Sequence, residues 1–201
     1  MPDRLAPDPE GISVAAALLR DGELVAFPTD TVYGLACRVG DAAALARLFA
    51  AKRRPAAKAI PWLVSSLSEA VDRGYQADPR ARKLAQKFWP GALTLVLPAV
   101  DGSGSQAFRV PDHPVALALL KATGPLAVSS ANRSGEPETR DVDDVLVAFA
   151  DSDEPAAIVD GGRIGIGIAS SVLDMSGPQA RLIREGALPR AELEQLIGPI
   201  D

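Results

Sequence analysis

Between residues 12 and 197, segments with helical spacing of apolar residues alternate with short apolar runs that stop at Pro, Gly or Asp. Such alternation leaves few architectures open. Residues 12–20 are Ala/Leu-rich and helical, 23–27 (ELVAF) read as a strand stopped by Pro28, and 33–39 form a second apolar stretch. Gly40-Asp41 opens an Ala-rich helix to residue 51, with Leu45, Leu48 and Phe49 on one face. Ser66 with Glu69 fits a capping box for a short helix, and Asp78-Pro79 offers an N-cap and first-turn proline for a helix running to Trp89. Residues 60–64, 93–97 (LTLVL), 108–110, 126–129, 157–159, 171–174 and 181–183 read as strands, and 115–122, 142–150 and 189–197 as helices. The stretch 101–105 (DGSGS) reads as a turn between strands, and neither a linker nor a repeat divides the chain. The pattern predicts one α/β domain with a mixed sheet over residues 11–201, after a flexible N-terminus at 1–10.

A chain of 201 residues can bury a substantial single core. Its net charge of −5 argues against bulk binding to nucleic acid or anionic membrane, so any basic function must come from local clustering. Cys37 is the only cysteine, which rules out an internal disulfide and suits a reducing cytoplasm. The first ten residues lack the basic-then-apolar order of a signal peptide, and no apolar run approaches the ~20 residues of a membrane span. A soluble, cytoplasmic protein without a membrane partner is expected.

Four segments are rich in groups that bind ligands. PTDTVYG (28–34) places two threonines, Asp30 and Tyr33 directly after a strand, where α/β sheets tend to bind ligands; a capped turn would use the same residues. Lys52, Arg53, Arg54 and Lys58 put four cations within seven residues at a helix end, suiting either the helix dipole or a polyphosphate. SSANRSG (129–135) follows a strand and collects hydroxyl, amide and guanidinium donors beside small residues, as a phosphate or base site does and as a surface turn also does. Asp160-Gly161-Gly162 leads through Gly165 and Gly167 to Ser170-Ser171, a loop built for close backbone approach or for flexibility. No P-loop or dinucleotide fingerprint is present, and one histidine with one cysteine cannot supply a zinc site. His113, between Asp112 and Pro114, fits a turn or helix start, and Cys37 fits a packed strand position.

Taken in order, these motifs resemble the YrdC-like family of threonylcarbamoyl-adenylate synthases. The carrying runs are PTDTVYGL (28–35), K-x-R-P (52–55) with Lys58, FWPGALTLVL (88–97), FRVPDHP (108–114), SSANRSG (129–135), DGG (160–162), SSVLD (170–174) and REGA (184–187). The resemblance implies a YrdC-like fold: a single-domain α/β structure with a twisted mixed sheet, flanking helices and a basic groove. It implies a nucleotidyltransferase that condenses L-threonine, bicarbonate or CO2 and ATP into threonylcarbamoyl-AMP and pyrophosphate, the first step of a tRNA modification. Thr31, Arg109 and Ser170 would hold threonine. Lys52 and Arg54 would be catalytic, and Arg54, Lys58, Ser105, Ser130, Asn132 and Arg184 would hold ATP. Mg²⁺ would arrive with ATP, with Asp30 either assisting it or acting as a cap, and no protein metal site is assigned. Proteins that transfer the threonylcarbamoyl group to tRNA would be downstream partners, with tRNA itself at most a weak one. The chain departs from the family pattern at Arg53, where a small or polar residue is common, at Ala59-Ile60, at Ser171, and at Leu63, where some relatives carry histidine. Two other readings use the same groove: an RNA-binding module, and a related enzyme that handles a carbamoyl-adenylate.

Overall fold

The computed structural model describes residues 1–53, 59–165 and 167–201. The strands are β1 (Asp3–Leu5), β2 (Val25–Pro28), β3 (Tyr33–Arg38), β4 (Trp62–Leu63), β5 (Leu93–Pro98), β6 (Ser105–Arg109), β7 (Leu126–Ser130), β8 (Ala157–Val159), β9 (Ser171–Asp174) and β10 (Arg181–Arg184). The helices are α1 (Pro9–Arg20), α2 (Ala42–Ala51), α3 (Leu67–Asp72), α4 (Pro79–Phe88), α5 (Pro114–Thr123), α6 (Val142–Ala148) and α7 (Arg190–Ile197). Among the described residues the strands form one mixed sheet, in the order β1-β8-β2-β3-β7-β4-β6-β5-β9-β10. None of the described helices is long and apolar enough to cross a membrane.

Strand periodicity decides what each face does, because successive side chains point to opposite sides. In β5, Leu93, Leu95 and Leu97 pack with Leu84 of α4 and Leu193 of α7, while Thr94 and Val96 point the other way. In β3, Leu35 and Cys37 pack beneath α2 and α6, while Ala36 faces the core under α1 and α5. One face of the sheet is therefore covered along its length, by α2 and α6 over one half and by α3, α4 and α7 over the other. On the opposite face α1 and α5 cover only part, and the centre of the sheet stays open.

Local chemistry sets the element ends. Asp8, Asp41, Asp78 and Asp141 each accept a backbone N–H three residues on, at 2.7–2.9 Å, satisfying donors that a helix start leaves unpaired. Ser66 caps α3 through the Glu69 N–H, but the return bond from Glu69 reaches the Ser65 N–H, one residue earlier than a capping box requires. His113 caps α5 by accepting the Val115 N–H at Nδ1, so its place beside Pro114 is a helix start. Residues 101–104 form the turn from β5 to β6, and pairing resumes at Pro98 and Ser105, three residues earlier than the apolar run at 108–110 suggests.

The N-terminal arm also differs from its sequence reading. Asp3, Arg4 and Leu5, read above as part of a flexible segment, lie parallel to Ala157–Val159. The Arg4 side chain reaches Asp160 at 2.7 Å. Backbone pairing and one ion pair hold this strand, and neither leaves an apolar pattern in the sequence.

Arg53 follows the C-cap of α2 with φ +50°. Left-handed backbone costs an L residue roughly 1–2 kcal/mol, which is why glycine usually occupies this position after a helix. Its exposed ion pair with Asp151 returns under ~1 kcal/mol. Arg53→Gly is therefore expected to raise unfolding stability by about 0.5–1 kcal/mol in urea denaturation. A loss of stability would show that the ion pair outweighs the backbone strain.

Candidate active-site groove

The open centre of the sheet is a cavity of about 580 Å³. Leu63, Val96, Ala107, Val128 and Val172 supply apolar floor from β4, β5, β6, β7 and β9. Polar side chains stand above it where strands end or change direction: Thr29 and Thr31 after β2, Arg109 at the end of β6, Ser130 at the end of β7, Ser170 before β9 and Arg184 at the end of β10. This is the strand-end placement that favours ligand binding in α/β sheets.

Arg109 organises one side. It donates through Nη1 to Thr31 Oγ1 at 2.8 Å, through Nη2 to Asp30 Oδ1 at 2.5 Å and through Nε to the Gly91 carbonyl at 2.9 Å. Asp30 also accepts the Asp112 N–H at 3.0 Å, so its carboxylate is a cap and an ion-pair partner. Thr29 Oγ1 donates to the Val32 carbonyl at 2.7 Å and lies 3.1 Å from Thr31 Oγ1, which fixes the turn that presents Thr31. Burial pulls the Arg109 guanidinium below its ordinary pKa; Asp30 opposes this and the positive charge of Arg184 adds to it. Two cations thus repel each other at one cavity, and an anion between them would relieve both.

Ser170 organises the opposite side. Its Oγ shares a 2.8 Å hydrogen bond with Thr94 Oγ1, and its carbonyl accepts Nε and Nη2 of Arg184 at 3.1 and 2.7 Å. Thr94 carries no role in the sequence reading, yet it is buried in the wall beside Ser170. The available signal was one hydroxyl inside the apolar run LTLVL, on the face opposite its leucines.

The structure brings Thr31, Arg109, Ser130, Ser170 and Arg184 to one groove, with Leu63 in its floor. Lys52 and Asn132 sit behind Ser130. The buried ammonium of Lys52 donates to the Ser130 carbonyl, to the Asn132 carbonyl (2.5 Å) and to Asn132 Oδ1 (3.3 Å). Ser130 Oγ in turn donates to Asn132 Oδ1 at 2.6 Å, and the Asn132 amide donates to the Glu136 carbonyl at 2.6 Å. Ser105 is exposed two residues beyond Ala107 on the same strand face, outside the cavity wall. Arg54 and Lys58 lie outside the described residues.

The glycine-rich loop is fastened at the groove's edge. Tyr33 donates its hydroxyl to the Gly162 carbonyl at 2.8 Å and accepts the Gly161 N–H at 3.2 Å. A Cβ on Gly161 would lie 2.5 Å from Pro28 Cγ, so this position needs close approach more than flexibility. Burial pushes the Tyr33 phenol up to about 12 and the Cys37 thiol up to about 12, so neither ionises near neutrality. Cys37 is packed and protonated, which removes it as a nucleophile.

Comparison with known proteins gives the family. The Sua5/YciO/YrdC domain, described as "Telomere recombination", matches residues 17–186. A threonylcarbamoyl-AMP synthase of Bacillus subtilis is 39% identical across 98% of this chain, which spans 60% of that relative's length. One from Chromohalobacter salexigens is 39% identical across 82% of this chain and 92% of its own. The crystal structure of Pyrococcus abyssi Sua5 complexed with L-threonine superposes with a TM-score of 0.90 at 37% identity, covering all of this chain and 62% of that one. The match over residues 17–186, with relatives 39% identical across most of its length, places the chain in the Sua5/YciO/YrdC family.

Proposed function

We propose that this chain is an L-threonylcarbamoyladenylate synthase that condenses L-threonine, bicarbonate or CO2 and ATP into threonylcarbamoyl-AMP and pyrophosphate. The observation that carries this reading is the pair of arginines, Arg109 and Arg184, facing one hydroxyl-lined cavity that an anion would stabilise. Relatives that carry the synthase name support it, as does a neighbouring structure that holds L-threonine.

The chemistry brings anions together. The threonine amine adds to CO2 with loss of a proton, or to bicarbonate with loss of water, to give a carbamate. A carbamate oxygen attacks the α-phosphorus of ATP, the bond to the β-phosphate oxygen breaks, and pyrophosphate leaves with that electron pair. Two unit charges ~4 Å apart repel by about 4 kcal/mol at an effective dielectric near 20. Fixed cations offset that repulsion and stabilise charge on the leaving group. In this scheme Arg109, with Thr31 and Ser170, orients the amino acid. Arg54, Lys58, Ser130, Asn132 and Arg184 would receive the nucleotide, with Lys52 and Arg54 as the catalytic cations. Contact with the apolar floor would shield part of the carbamate, which loses CO2 in water.

Among the described residues no group of three His, Cys, Asp or Glu could hold a metal ion, and Asp30 is committed to Arg109. Mg²⁺ would be held mainly by phosphate oxygens and water, where it neutralises phosphate charge. Transfer of the threonylcarbamoyl group to tRNA would fall to a separate cytoplasmic protein.

The reading is tested by supplying Mg²⁺, ATP and bicarbonate with L-threonine, with L-serine or without amino acid, and following pyrophosphate and the adenylate by mass spectrometry. Threonine-dependent pyrophosphate with a matching mixed anhydride is expected, and pyrophosphate release indifferent to threonine rejects the assignment. Thr31→Ala and Ser170→Ala should each weaken threonine binding about tenfold, the size of one hydrogen bond to a charged group. Calorimetry should show their ATP affinity little changed, and equal loss of both ligands counts against this division of the groove.

A further inference from the structure

SSANRSG contributes Ser130 to the groove, but its arginine turns away from the cavity. Arg133 is buried, with side-chain exposure of 7%. It donates through Nε to the Ala148 carbonyl at 3.0 Å, through Nη1 to the Ala51 carbonyl and through Nη2 to Asp151. Its guanidinium carbon stands 5.0 Å from the centre of the Phe149 ring. Ala51 is the last residue of α2 and Ala148 the last of α6, so one planar fork closes the negative ends of two helices.

Lys52 makes the complementary connection. Its ammonium reaches the Ser130 and Asn132 carbonyls, while its own carbonyl accepts the Ser134 N–H at 3.0 Å. The end of α2 and the 130–134 loop thus reach into each other, Lys52 from one side and Arg133 from the other. We propose that Arg133 is a positioning residue: it locks the 130–134 loop to the end of α2 and α6, and so holds Ser130 in the orientation it presents to the groove. The consequence for nucleotide binding rests on the synthase reading; the locking itself does not.

Arg133→Lys keeps the charge and loses the fork, since an ammonium cannot meet three separated acceptors in a fixed plane. Arg133→Met loses both. Amide exchange in the ligand-free protein, followed by mass spectrometry, reads the lock through the Ala131 N–H on the Tyr33 carbonyl and the Ser134 N–H on the Lys52 carbonyl. Calorimetry with a non-hydrolysable ATP analogue and with L-threonine reads its consequence. In Arg133→Met, exchange at 130–134 should quicken and analogue affinity fall, each about tenfold, the scale of a lost charge-assisted hydrogen bond. Threonine affinity should hold within about twofold, and Arg133→Lys should fall between, because threonine depends on Arg109 across the groove. Unchanged exchange in both variants overturns the lock. Equal loss of both ligands reduces Arg133 to general stability and overturns the positioning role. If Arg133→Met does not fold, Arg133→Lys decides by the same readings. Should the unaltered protein release no threonine-dependent pyrophosphate, the synthase reading fails, and exchange alone then upholds or removes the lock.

Discussion

Arg109→Met is expected to cost about 3–5 kcal/mol of folding stability, because it leaves Asp30 charged and unpaired in a site where both side chains are nearly buried. The exposures are 7% for Arg109 and 12% for Asp30. The guanidinium also holds Thr31 Oγ1, so its loss loosens the turn that Thr29 and Thr31 close. Three of its five N–H donors have named acceptors in the protein. Threonine binding should also disappear, but stability loss alone could produce that result. The double variant Asp30→Asn/Arg109→Met separates the two effects. Asparagine can still accept the Asp112 N–H and brings no stranded charge, so most of the lost stability should return. Threonine binding should not return. Urea denaturation with calorimetry on the three proteins checks this. If the double variant regains threonine affinity along with stability, Arg109 supports the fold and does not bind the amino acid.

How far such a site is legible in sequence depends on the kind of information each residue needs. Alternation within LTLVL states which face of β5 is buried, and Asp41 and Asp78 announce helix starts, because period and capping are local properties. The direction of a long cationic side chain is not local. Lys52 and Arg133 stand in segments that read as ligand-binding; the structure joins Lys52 to the Ser130 and Asn132 carbonyls and to Asn132 Oδ1, and turns Arg133 to the Ala51 and Ala148 carbonyls and Asp151. Only the packing of α2 against the 130–134 loop decides that. Arg184 reads as one residue of REGA, and its place in the groove follows from the pairing of β10 with β9 and from its bonds to the Ser170 carbonyl. Strand β1 was illegible for a related reason. A three-residue edge strand held by backbone pairing and the Arg4–Asp160 ion pair leaves no apolar signature.

Gly186→Ala is expected to disable the groove from outside its wall. A Cβ at Gly186 would stand 2.2 Å from the Ala169 carbonyl oxygen, 2.6 Å from the Ser170 carbonyl carbon and 2.7 Å from its oxygen. All three are backbone atoms, so no rotamer change can relieve the overlap, and either the 169–170 segment or the REGA turn must move. The two are tightly stitched. Ala187 donates its N–H to the Ala169 carbonyl at 3.0 Å, Gly186 donates to Ser171 Oγ at 2.9 Å, and Arg184 clasps the Ser170 carbonyl. Overpacking of this kind costs about 1–3 kcal/mol. A shift near 1 Å would also break the 2.8 Å bond between Ser170 and Thr94 and turn Arg184 away from its place beside the groove. Misplacement on that scale lowers turnover by about 100-fold even when the protein stays folded. Gly177→Ala serves as the matched control, since the nearest atom to its added Cβ is 3.8 Å away. That variant should match the parent in both stability and threonine-dependent pyrophosphate release. If Gly186→Ala keeps near-normal turnover, Ser170 and Arg184 are not held in place by this turn, and their roles as ligand-binding groups must be argued on other grounds.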